Sequence, residues 1–318
     1  MGVLRVRRGL AVPVLMSGGF TPSDVPQVEA DALIAFYDAT DGDNWTDNTG
    51  WTTDPVVDNW TGVTVSGGHV TELDLHGDAN VDGNGLGELS PLTSLTRLRL
   101  GSTGVSGDIA DIATLISLTR LYLHNTSVSG DIADISTLTS LTFLRLYNTS
   151  VSGDIADIST LTSLTRLYLY NTSVSGDIAD ISTLTSLTVL QLYNTSVSGD
   201  IADIATLTSL TELYLYDTGV SQGTIGTMTA ITVCRVQDCG WTEAAVDALL
   251  ADMYAERANF TDGTPELNIG GTNAAPSGTY QDGDPPTTGL EYVYEVVNDP
   301  EAEGFNTWSI TYSGGSAP

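Results

Sequence analysis

Arg120, Phe143 and Arg166 stand 23 residues apart along the chain, and so do Tyr122, Arg145 and Tyr168. A third series at the same spacing reads His124, Tyr147, Tyr170 and Tyr193. Arginine carries a planar fork of donors suited to oxyanions, and tyrosine a rigid ring with a hydroxyl at its tip. These residue types dominate binding hot spots. The chemistry they offer is capture of a ligand.

Catalytic groupings are missing from the sequence. It has no nucleophile elbow, no phosphate loop and no zinc motif, and its ten basic residues are all arginine. His69, His76 and His124 lack metal-ligand spacing. Cys234 and Cys239 are the only cysteines, too few for a disulfide framework, and read as buried thiols. The chain is therefore expected not to be an enzyme.

Two rows of aspartate also recur in register. Asp108, Asp131, Asp154, Asp177 and Asp200 form one, and Asp111, Asp134, Asp157, Asp180 and Asp203 the other. Stacked about 5 Å apart, neighbours repel by roughly 0.8 kcal/mol in bulk water. Calcium is one possible counterion, since hard cations take carboxylate oxygens. Without an EF-hand loop or a calcium-binding nonapeptide, solvated and screened rows are the better reading, and no cofactor is expected. Asn125, Asn148, Asn171 and Asn194 each open an Asn-Thr-Ser acceptor triplet, which the repeat itself already requires.

The spacing comes from units beginning at Leu92, Leu115, Leu138, Leu161, Leu184 and Leu207. Within one unit the apolar positions are Leu161, Leu164, Leu167, Leu169, Val174, Ile178 and Ile181. Leu167-Tyr168-Leu169 alternates as a short strand does, with its leucines inward. Ser175-Gly176 is expected to turn the chain, and Ile178 and Ile181 to bring it back over the core. A single coil cannot cover its own leucines, so each is stable only between neighbours.

Over residues 92–227 this pattern resembles the leucine-rich repeat family, in its LxxLxxLxL…SGxI form, of a bacterial or phage-like kind. The resemblance implies an α/β repeat fold: a solenoid with a parallel β-sheet on the concave face, capped at both ends, with a small β-rich tail. Two departures stand out. Thr103, Thr126, Thr149, Thr172, Thr195 and Thr218 replace the usual asparagine, and could form a ladder of hydroxyls in its place. Ala110, Ala133, Ala156, Ala179 and Ala202 replace the usual proline.

The expected organisation follows. Residues 1–26 read as an N-terminal arm; their basic start and apolar run outline a secretory signal, but the run is short and holds Pro13. Residues 27–66 form an N-terminal cap, with a helix over 28–38 and Trp45, Trp51 and Trp60 as covering aromatics. Repeats occupy 67–241, regular over 92–206, with Cys234, Val236 and Cys239 in the last coil. A capping helix spans 242–258, with Thr242 as its N-cap. Residues 259–318 form a β-rich cap or docking module, with strands over 290–297 and 307–312.

The repeats provide their own alignment. Among the four copies starting at Leu115, Leu138, Leu161 and Leu184, five of 23 columns vary, and three of these are the outward series named first. Val189 and Gln191 complete the first two series, and flanking coils add Arg97, Arg99, Glu212, Tyr214, Tyr216 and Arg235. Six of the ten arginines thus belong to one expected surface. Recent duplication alone also makes repeats alike, and tyrosine suits sheets regardless of function.

The expected function is recognition or adhesion, with a protein or surface glycan held against that surface. With 40 acidic residues and a net charge of -30, nucleic acid and anionic membranes are poor partners. No stretch approaches the ~20 apolar residues of a membrane helix. The alternative is a structural part of a virion or cell-surface assembly, joined through 1–26 and 259–318. Either places the chain outside the cell, on its surface or on a virion.

Overall fold

The computed structural model describes residues 21–225, 227–256, 259, 266–278, 286, 288, 290, 293, 309–312 and 315–316. Residues 1–20 of the expected arm and most of the tail lie outside these.

Each 23-residue unit closes one coil, and equal spacing makes the coils stack in register. Among the described residues this builds two parallel sheets. The longer has 12 strands. It starts with the antiparallel pair Val63–Ser66 and His69–Asp74 and runs through the three-residue strands Arg97–Arg99, Arg120–Tyr122, Phe143–Arg145, Arg166–Tyr168, Val189–Gln191, Glu212–Tyr214 and Val233–Arg235. It ends with Glu266–Asn268, Ser309–Tyr312 and Gly315–Ser316. Leu161, Leu164, Leu167, Leu169, Val174, Ile178 and Ile181 are all fully buried, and the same positions are buried in each regular coil. Removing one such leucine side chain from a packed core costs about 2–5 kcal/mol.

The second sheet was not expected. Ser173–Asp177 is a strand, and with its counterparts from Asp82–Asn84 to Gly219–Ser221 it forms a 7-stranded parallel sheet. The turn anticipated at Ser175-Gly176 lies earlier, at Asn171, whose φ of 54° is left-handed, as asparagine tolerates. Ser173-Val174-Ser175 then alternates out, in, out, with Val174 buried. Asp177 ends the strand and caps a short 3-10 helix, Ile178–Ile181, by accepting the Ala179 N–H at 2.9 Å. The first aspartate row is therefore structural: Asp108, Asp131, Asp154, Asp177 and Asp200 each cap their own coil in this way.

The threonines at the asparagine position form no ladder. Thr172 Oγ1 donates to Leu169 O and accepts from Val174 N, closing the turn of its own coil. The ladder is made instead by the triplet asparagines, with Asn171 Nδ2 donating to Asn148 Oδ1 and Asn194 Nδ2 to Asn171 Oδ1, both at 2.6 Å.

The N-terminal end of the stack is covered by a helix and three tryptophans. Helix α1, Gln27–Ala39, buries Leu33 and Phe36, and Trp45, Trp51 and Trp60 pack behind it with ring centroids 4.8 and 5.1 Å apart. Each indole N–H donates to a backbone carbonyl at 2.9 Å, so none of these buried donors is left unmet. Helix α2, Glu243–Glu256, follows Thr242, whose hydroxyl accepts the Ala245 N–H. Cys234 is buried and Cys239 half-buried, and both are free thiols. Their coil is not the last, because Glu266–Asn268 and Ser309–Tyr312 extend the long sheet beyond it in parallel. Of the stretch expected as a strand over 290–297, only Leu290 and Val293 are described, and both are helical.

Candidate functional site

The exposed face of the long sheet carries three columns, each running coil to coil. Strand pairing places Arg97 beside Arg120, Arg120 beside Phe143, Phe143 beside Arg166, and Arg166 beside Val189. The same pairing lines up Arg99, Tyr122, Arg145, Tyr168, Gln191, Tyr214 and Arg235. The third column stacks Tyr147, Tyr170, Tyr193 and Tyr216. The variable positions of the repeat are thus neighbours on one surface.

Their chemistry differs from coil to coil. Towards the ends, arginines are neutralised: Arg97 pairs with Glu72 at 3.0 Å, Arg99 with Asp74 and Arg235 with Glu266 at 2.8 Å. In the middle, Arg120, Arg145 and Arg166 have no carboxylate partner among the described residues. Arg145 is held by rings instead. Its guanidinium carbon lies 4.8 Å from the Tyr168 ring centre, 5.0 Å from Phe143, 5.6 Å from Tyr122 and 5.9 Å from Tyr147. Each such contact contributes about 0.5–1 kcal/mol at an exposed site. Arg120 and Arg166 remain exposed on either side of Phe143, around a shallow depression of about 330 Å³ completed by Tyr122, Thr142 and Thr165.

In the third column the rings lie 4.2 Å apart and within 11–12° of parallel. Their faces are covered by one another, and each of the four residues is half-buried. Burial, followed by the neighbouring Tyr147 hydroxyl, pushes Tyr170 up to about 12, and burial likewise raises Tyr193. His124 continues the column against Tyr147 at 4.6 Å and reaches His76 at 5.3 Å. At 3 % exposure it is buried and does not project from the surface on which it was expected. Val189, at 4 %, does not project either. The sequence named Arg120, Phe143 and Arg166 as candidate ligand contacts in one column; the hollow between them, set by how the side chains pack, was not legible there.

A parallel sheet built from 23-residue coils around a leucine core defines a leucine-rich repeat solenoid. No family model and no curated protein sequence matches the chain. Among solved structures, a plant ice-binding protein superposes with a TM-score of 0.61 at 19% identity, over 77% of this chain and 81% of that one. The leucine-rich repeat ectodomain of the Arabidopsis receptor kinase HAESA, in complex with a peptide hormone ligand, gives 0.59 at 20%, over 76% of this chain. An internalin of Listeria monocytogenes gives 0.51 at 24%, over 62%. The chain spans 41% of the HAESA ectodomain and 54% of the internalin. No helix among the described residues is long and apolar enough to cross a membrane.

Proposed function

We propose that this solenoid is a non-enzymatic recognition module that binds a protein or a surface glycan on the exposed face of its long sheet, outside the cell or on its surface. The observation that carries this is where change is allowed. Of the five columns that vary between the regular coils, three are adjacent on one face rich in tyrosine and arginine. A Tyr/Arg surface rigidly held by a sheet loses little side-chain freedom on binding. The ectodomain of HAESA, whose structure holds a peptide hormone ligand, supports the same use of this fold. Glycan and protein arrays probed with the intact chain test it. Capture should be lost in a Tyr168→Ala, Arg145→Ala double variant that keeps its melting transition; capture unchanged by that variant would remove this face from the function.

A second reading is binding to ice, the property for which the plant neighbour is named. Exposed threonines stand in pairs around an inward leucine, as in Thr160-Leu161-Thr162 and Thr183-Leu184-Thr185, without change over four coils from Thr137 to Thr208. The first hydroxyl of each pair is fixed to the preceding coil, Thr183 to Ser159 O at 3.1 Å and Thr206 to Ser182 O at 2.8 Å. Ice crystals growing unshaped, at an unshifted freezing point, would discard it.

A further inference from the structure

Resting on the recognition reading, we infer that the depression between Arg120 and Arg166 is an anion site for an acidic glycan, one bearing a carboxylate or sulfate on every second sugar. Three observations lead there. First, in a chain of net charge -30 most cations should be neutralised by acids, and Arg97, Arg99 and Arg235 are. Among the described residues Arg120 and Arg166 have no ion-pair partner, although both are exposed. Their neighbours in the first two columns, Tyr122, Phe143, Arg145, Tyr168, Val189 and Gln191, carry no negative charge. Two free guanidiniums therefore present open donor forks, the geometry that grips oxyanions in pairs of hydrogen bonds.

Second, the other walls donate little. Thr142 Oγ1 and Thr165 Oγ1 already give their protons to Thr119 O and Thr142 O. Arg145 is packed among four rings, so its charge adds to the local potential from a fixed position. Ligand binding here must rest on Arg120 and Arg166.

Third, the spacing discriminates between polymers. Arg120 and Arg166 are separated by the Phe143 strand, two strand spacings or roughly 10 Å. Alternate residues of an extended polysaccharide repeat at about that step, whereas side chains on one face of an extended peptide recur at about 7 Å. A uniformly charged polyanion would be repelled by the rest of the molecule; sparse charge, screened beyond about 8–10 Å, is not.

The test uses the full chain and a hexasaccharide of alternating uronic acid and N-acetylhexosamine, its carboxyl-reduced form, a sulfated counterpart and a peptide of alternating glutamate and serine. The uronic or sulfated oligosaccharide should bind by calorimetry and the reduced form should not, and Arg120→Gln and Arg166→Gln should each weaken binding about tenfold or more. Which of the two acids binds tighter identifies the group. Failure of both acidic sugars to bind, equal binding of the reduced form, or preference for the peptide would each overturn the inference. Array capture that needs Tyr168 and Arg145 but survives Arg120→Gln with Arg166→Gln would also overturn it while leaving the recognition reading intact.

Discussion

The imidazole of His124 occupies the space that a side chain on Gly101 would fill. A methyl group at Gly101 would run into His124 Cε1 and Nδ1, and it is this gap in the third column that lets His124 reach across to His76. Gly101→Ala is therefore expected to destabilise the fold by about 1–3 kcal/mol, the usual cost of overpacking. The same change in a His124→Ala background should cost almost nothing. A double-mutant cycle by urea unfolding checks this, the two residues being in direct contact.

His124 also sets a pH dependence. Burial, then the charges of Arg145, His76 and Arg99, lower its pKa from 6.5 to about 4. Between those values the unfolded chain takes up a proton that the folded chain refuses, so this contribution to stability is full above pH 6.5 and is lost as pH falls towards 4. Nδ1 of His124 is buried without a hydrogen-bond partner. His124→Phe should keep the ring contacts, remove an unmet polar atom and melt at or above the parent at pH 5. NMR titration should find one of the three imidazoles neutral down to about pH 4.

The tyrosine column predicts the opposite slope in alkali. With Tyr170 raised from 10 to about 12, and Tyr193 raised as well, the folded chain holds phenol protons that the unfolded chain releases. That stability is complete below pH 10 and is lost as pH climbs through about 12. Absorbance at the phenolate band should show part of the tyrosine ionising only together with unfolding. Tyr170→Phe should reduce the delayed fraction.

Much of this architecture is legible in the letters, because a spacing of 23 residues fixes which side chains become neighbours once coils stack. The alignment of Tyr147, Tyr170 and Tyr193 follows from that spacing alone. What it does not fix is where each coil bends. Ser175-Gly176 has turn composition, yet Gly176 lies in a strand at φ 108°, because Asp154 of the preceding coil covers its Cα and leaves no room for a side chain. The bend falls at Asn171, whose triplet has the letters of a modification signal. The burial of His124 was hidden for a related reason: it depends on Gly101, which breaks the column one coil earlier.

The two aspartate rows should separate in a stability measurement. Both Asp154 and Asp157 are exposed, but Asp154 accepts the Ala156 N–H at 2.9 Å and packs over Gly176. Asp154→Ala leaves a helix-end donor unmet and is expected to cost about 1 kcal/mol, while Asp157→Ala should stay within about 0.5 kcal/mol of the parent or stabilise slightly by relieving repulsion between coils. Because the first row is already engaged with backbone donors, adding a chelator should leave the melting temperature where it was. A fall on chelation, restored by calcium and abolished in Asp157→Ala, would instead assign the second row to the cation.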